Sequence, residues 1–100
     1  MTGTVAQVEW AEQIKTRVSA EFDRVAKAFT AACRNQAEPD RADTQAVIAI
    51  LEEKRTEVMA NDRAGYFIRG WQELSDQVRQ MIARDSRYHA IKTNRAARRP

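Results

Sequence analysis

A chain of 100 residues can form one domain with its own core and is too short for two. Apolar residues make up 43 % of it, but no run approaches the roughly 20 apolar residues that span a bilayer, so a membrane protein is excluded. The formal net charge of +3 is unevenly spread, because residues 1–83 carry eleven Lys and Arg against thirteen Asp and Glu, whereas residues 84–100 carry six against one.

The composition predicts an all-α protein whose first helix is its longest element. Only three Gly and two Pro occur, and unbranched side chains such as Glu, Gln and Arg lose little freedom on a helix. Thr4 and Gln7 have the spacing of a capping box, so the helix should begin near Val5 and continue to Asn35. Its apolar residues share one helical face, and they are Trp10, Ile14, Val18, Phe22, Val25, Phe29 and Ala32.

Two further amphipathic helices are predicted in the middle of the chain. Pro39 ends the first helical pattern, and Asp40 suits the start of a second helix that runs to about Ala60. The polar pair at 61–62 can end this helix and cap a third, which we expect over residues 63–84.

A short basic helix is predicted at the C-terminal end. Asp85 is a capping signal, so this helix should start near Arg87, and its few apolar residues let it fray toward Pro100. The expected fold is therefore an antiparallel helical bundle of three main helices plus a short basic C-terminal helix. Residues 1–85 are expected to form the bundle domain, and residues 86–100 a partly frayed basic segment.

The apolar stripe of the first helix is longer than either neighbouring helix can cover. An uncovered apolar stripe is a candidate surface for a protein partner or for a second copy of the chain. The alternative is that the fourth helix folds back onto the stripe. The candidate surface residues are Trp10, Ile14, Val18, Phe22, Val25 and Phe29.

The basic C-terminal segment is a second candidate site. Arginine suits phosphate because its planar fork makes two parallel hydrogen bonds, so a polyanion such as nucleic acid is one partner for this segment. Two alternatives are docking onto an acidic face, including this chain's own Glu52, Glu53 and Glu57, and a solvated tail that complements a helix dipole. The candidate polyanion-binding residues are Arg84, Arg87, Lys92, Arg95, Arg98 and Arg99.

The sequence predicts no enzyme, no cofactor and no metal site. His89 is the single histidine, so a two-histidine metal site cannot form, and no Gly-rich phosphate loop or Cys-x-x-Cys motif occurs. Cys33 is the single cysteine, which excludes an intrachain disulfide, and the first residues lack the basic and apolar regions of a signal peptide. We therefore expect a cytoplasmic protein.

One short motif points to a different chemistry. The run His89-Ala90-Ile91-Lys92 resembles the signature of histidine phosphotransfer domains, which are four-helix bundles of about this size. The resemblance implies phosphorylation of His89, with Lys92 steadying the phosphoryl group. It covers four residues and ends at Thr93, where that family has Gly.

The leading hypothesis from the sequence is a small non-enzymatic interaction module. It would act as an adaptor or regulator through helix–helix contacts, with a protein partner or with itself as a homodimer. The alternative is a small nucleic-acid-binding protein that uses the basic C-terminal segment. Phosphoryl transfer at His89 is the third and weakest hypothesis.

Overall fold

The computed structural model describes residues 1–98, and these form an all-helical protein, as the composition predicts. The one β-type contact among them is an isolated parallel bridge between Thr2 and Arg63. Five helices are present rather than the four expected. They are α1 (Val5–Cys33), α2 (Asp40–Met59), α3 (Ala64–Gly70), α4 (Leu74–Ala83) and α5 (Ser86–Arg98).

Helix α1 begins at the predicted capping box. The Thr4 hydroxyl accepts a hydrogen bond from the Gln7 backbone N–H at 3.2 Å, and the Gln7 side-chain oxygen accepts one from the Thr4 N–H at 3.0 Å. These two bonds satisfy donors that the first turn of a helix leaves without partners. The 29 residues of α1 span about 43 Å, and α2, α3 and α4 all pack against this helix.

The prediction of one continuous third helix over residues 63–84 is wrong, because the helix is interrupted between Gly70 and Leu74. Gly70 has little helix preference, and Trp71 leaves the helical conformation with φ −119° and ψ 64°. The Gln77 side chain closes the break, since its amide donates to the Gly70 carbonyl and its oxygen accepts from the Glu73 N–H at 2.9 Å. The break leaves α3 against α1 alone, whereas α4 packs against both α1 and α2.

The core lies between α1, α2 and the α3–α4 segment. Trp71 is buried, and its ring meets the fully buried Phe22 edge-to-face with 6.3 Å between ring centroids. The apolar residues of the core are Ala11, Ile14, Val18, Phe22, Val47, Ile50, Leu51, Val58, Ala64, Phe67, Trp71, Val78 and Ile82.

Helix α5 lies at the edge of this core and contributes no buried residue to it. Among residues 1–98, no Cα of α5 comes within 8 Å of a Cα of α1, although α5 approaches both α2 and α4. The molecule is elongated, with extents of 56 × 24 × 19 Å. One side of the C-terminal half of α1, between α4 and α5, is therefore not covered by another helix.

Candidate interaction surface

The apolar stripe of α1 divides into a buried part and an accessible part. Ile14, Val18 and Phe22 belong to the core, so the expectation that they form a partner surface needs correction: α2, α3 and α4 cover them. Trp10 is 57 % exposed, and Val25 and Phe29 are half-buried. The accessible stripe residues thus lie toward the two ends of α1.

Two open depressions of about 560 and 520 Å³ lie side by side over the C-terminal half of α1. Phe29, Ala32 and Tyr88 line both of them, so they form one continuous feature, which we call the α1 groove. Helix α1 forms most of its floor, α2 contributes to the floor beside α5, and α4 and α5 are its walls. Its apolar lining comprises Val25, Ala28, Phe29 and Ala32 of α1, Val47 of α2, Ile82 and Ala83 of α4, and Tyr88, Ile91 and Ala96 of α5.

The rim of the α1 groove is mainly cationic. Arg24 and Arg79 lie at the α4 side, and Lys92 and Arg95 lie at the α5 side together with one carboxylate, Asp43. Apolar contacts in such a groove supply binding energy, while charges at the rim select the partner and its orientation.

The groove exists because α5 is held away from α1 and against α2 by ion pairs. Near its start, the Arg87 guanidinium bonds Asp85 at 3.0 Å and Glu53 of α2 at 2.7 Å. Near its end, Arg95 bonds Asp40 at 3.3 Å, and Arg98 bonds both Asp40 and Asp43. The acidic face that attracts α5 thus runs from the first turn of α2 to Glu53.

The carboxylates at the start of α5 have pKa values that neighbouring cations lower. The hydrogen bonds from Arg87 hold the pKa of the Asp85 carboxyl well below its ordinary value, and Lys54 adds to this effect at 3.2 Å. Arg87 also lowers the pKa of Glu53, again mainly through its hydrogen bond. Asp85 accepts the Arg87 backbone N–H at 2.8 Å as well, so one carboxylate caps α5 and pairs its first cation.

The predicted polyanion-binding residues are therefore largely engaged within the chain. Arg87, Arg95 and Arg98 all bond carboxylates. The Lys92 ammonium lies over the Tyr88 ring, 5.5 Å from its centroid, and Arg84 is exposed. The sixth predicted residue, Arg99, lies outside the described residues.

The residues considered for catalysis are apart from the groove's apolar lining. His89 is exposed on α5, and its ring meets Tyr88 edge-to-face at 6.4 Å. Cys33 is buried at the end of α1, where its thiol donates to the Arg41 carbonyl at 3.7 Å. In the part of the chain that the structure describes, no group of three His, Cys, Asp or Glu side chains could hold a metal ion.

Sequence reasoning missed the contributions of α4 and α5 to this surface. Tyr88 and Ile91 sit three residues apart on α5, a spacing that places both on one helix face and could have marked a wall. No sequence signal indicated that Ile82 and Ala83, at the C-terminal end of α4, would lie near Phe29 in the groove.

Comparison with known proteins does not extend this description. No protein-family profile, no curated protein sequence and no solved structure matches the chain. None of the helices within residues 1–98 is long and apolar enough to cross a membrane.

Proposed function

We propose that this chain is a small non-enzymatic interaction module that binds a helix of another polypeptide in the α1 groove. The observation that carries the proposal is the groove itself, an apolar channel left open because α5 is tied to α2 and stands clear of α1. Helices that recognise grooves present apolar anchors at spacings of three and four residues, which the groove's floor of Val25, Ala28, Phe29 and Ala32 would complement.

The chemistry of the groove supports a helical ligand with an apolar face and acidic flanks. Each large apolar side chain that moves from water into such a site contributes about 1.5–3 kcal/mol. Arg79 and Lys92 at the rim favour carboxylates beside those anchors, whereas Arg24 already bonds Glu21 of α1.

A pair of matched variants tests this proposal. Ala28 is an exposed groove residue, so Ala28→Glu should block the groove while the helix stays intact. Ala46 is an exposed alanine on α2 outside the groove, and Ala46→Glu is the control for the added charge. Purified from the source cells with an affinity tag, the full chain and Ala46→Glu should retain the same stoichiometric protein partner, and Ala28→Glu should lose it.

The proposal is contradicted if the bound proteins are identical for Ala28→Glu and Ala46→Glu, or if nucleic acid alone co-purifies. Thermal melting of the two variants should agree with each other within a few degrees, which establishes that loss of binding is not loss of fold.

Nucleic-acid binding through α5 remains the alternative proposal. The exposed Arg84 and Lys92 support it, but Arg87, Arg95 and Arg98 would have to exchange carboxylate partners for phosphates. A salt titration against duplex DNA and single-stranded RNA distinguishes the cases. Binding that falls steeply with salt, and that a chain ending at Ala83 lacks, would favour this alternative.

A further inference from the structure

Resting on the proposed function, we propose that the occupant of the α1 groove is the N-terminal half of α1 from a second copy of this chain. The two copies would pair antiparallel about a twofold axis, with Trp10 of each copy as the anchor in the other's groove. The module would then be a homodimer whose two grooves are filled reciprocally, as an isologous interface requires.

Trp10 has the properties of an interface anchor. It is 57 % exposed although tryptophan is usually well covered, and Val5, on the same half of α1, is 77 % exposed. These are the large apolar side chains that the described part of the molecule leaves exposed. Exposed tryptophans on helices are characteristic of binding hot spots, because one side chain removes much apolar area from water.

The spacing on α1 lets one helix carry both the anchor and the groove on one face. Trp10 and Ala28 are 18 residues apart, which is five helical turns, so both project from the same side of α1 about 27 Å apart. When two copies of α1 lie antiparallel along that side with the twofold axis midway between these residues, each Trp10 lies opposite the other copy's Ala28, at the floor of the groove.

The charges on the two halves of α1 are complementary in this arrangement. Arg17 and Glu21 follow Trp10 by seven and eleven residues, which is close to two and three helical turns, so both lie on the Trp10 side of α1. The twofold axis passes at the level of Ser19, midway between Trp10 and Ala28, and it sets Arg17 of each copy opposite Glu21 of the other.

This register adds a second cation to a carboxylate that already bonds Arg24. The hydrogen bond from Arg24 lowers the pKa of Glu21, which favours the ionised carboxylate that Arg17 of the second copy would approach at its accessible edge. A parallel arrangement would instead place the same residues of both copies side by side, which opposes like charges.

Sedimentation equilibrium of the full chain over a wide concentration range is the first measurement. We expect a dimer whose dissociation constant rises roughly tenfold or more in Trp10→Glu and in Ala28→Lys, and stays unchanged in Ala46→Lys. Circular dichroism and thermal melting of each variant establish that the fold is retained, since Trp10, Ala28 and Ala46 are all exposed.

A mixture of the two weakened variants tests the register itself. A heterodimer of Trp10→Glu with Ala28→Lys holds one unaltered contact and one in which the new glutamate faces the new lysine. Native mass spectrometry should therefore show the heterodimer in excess over both homodimers. A statistical mixture, or a dimer that neither substitution weakens, overturns this inference.

A wild-type chain that stays monomeric at all concentrations also overturns the inference, but it leaves the proposed function standing if Ala28→Glu releases a different protein partner. If Ala28→Glu releases nothing and the chain is monomeric, both proposals fail. The two failures are therefore distinguishable.

Discussion

Individual positions on the α1 stripe differ in a way that the sequence pattern does not reveal. Trp10 and Phe22 both belong to the stripe, yet Trp10 is more than half exposed and Phe22 is fully buried. The helical period identifies the apolar face of α1 correctly, but which part of that face is covered depends on where α3 and α4 end. The sequence therefore identified the apolar face but did not separate its core residues Ile14, Val18 and Phe22 from the more accessible Trp10, Val25 and Phe29.

Phe22 is the residue at which this distinction has the largest effect on stability. Phe22→Ala leaves a cavity against Trp71, and we expect it to lower the free energy of unfolding by about 3–5 kcal/mol. Trp10→Ala should change the stability of the monomer by less than about 1 kcal/mol. Urea denaturation measured at low protein concentration checks both values, and equal losses would show that the burial assigned to these side chains is wrong.

Gly3 is a second position where one residue determines local structure. Its φ of +146° is a conformation that side-chain-bearing residues rarely adopt, and a Cβ there would lie 3.0 Å from the Ala64 Cβ. The neighbouring Thr2 pairs with the α2–α3 connection, donating to the Asp62 carbonyl at 2.7 Å and accepting from the Ala64 N–H at 3.0 Å.

Gly3→Ala should therefore cost roughly 1–3 kcal/mol of stability and release the first residues from this contact. Thermal unfolding compared with that of Ala6→Gly, a substitution in the first turn of α1, separates this strain from ordinary helix preference. An unaltered melting temperature in Gly3→Ala would contradict the account.

At the level of elements, the sequence predicted the bounds of α1 and α2 within two residues and missed the break after Gly70. The apolar period continues across the break through Phe67, Trp71 and Val78, so the pattern alone favours one helix. The break depends on the side-chain amide of Gln77 returning to the Gly70 carbonyl, which is a contact between distant atoms that no periodicity encodes.

Helix α5 should be the element most sensitive to ionic strength. Its attachment combines the partly buried Tyr88 and Ile91 with exposed ion pairs to α2, and no α5 residue is fully buried. Salt at 1 M shortens the range of charge–charge interactions in water to about 3 Å, so it weakens the ion-pair part of the attachment. Amide hydrogen exchange should show residues 88–95 losing protection between 50 mM and 1 M salt, while the amides of the α1 core stay protected. Equal protection at both salt concentrations would contradict the attachment described for α5.

The same attachment should weaken in acid. Arg87 lowers the pKa of Asp85 and of Glu53, so their contribution is fully present above the ordinary carboxyl range, at pH values above about 5, and is lost as the pH falls below it. The protection of α5 amides, measured relative to the intrinsic exchange rate at each pH, should fall progressively below about pH 4. Asp85→Asn keeps a capping side chain but removes its charge, so it should flatten this dependence.

At the scale of the whole molecule, the elongated shape and the open groove have the same cause, which is that the other helices do not cover the full length of α1. The radius of gyration is 16.0 Å, against about 13 Å for a compact domain of 100 residues. Helix α1 extends beyond the helices that cover it, and α5 lies along α2 instead of closing the remaining gap. The sequence indicated that the α1 stripe was too long for its neighbours, and it offered docking of the basic segment onto the acidic face of α2 as one alternative. Glu53 of that face does bond Arg87, whereas Asp40 and Asp43, which bond Arg95 and Arg98, were not among the expected partners.

Site-specific photo-crosslinking is the measurement that tests the function of the α1 groove most directly. A photoreactive residue replaces Ala32, which lines both depressions, or Ala46, an exposed residue of α2 that lines neither, as the control. If a helix occupies the groove, position 32 yields a polypeptide adduct that maps to an amphipathic helix, and this adduct is lost in Ala28→Glu and absent from position 46. Adducts of equal yield at both positions, or nucleic acid at position 32, would contradict the proposal that a helix occupies the groove.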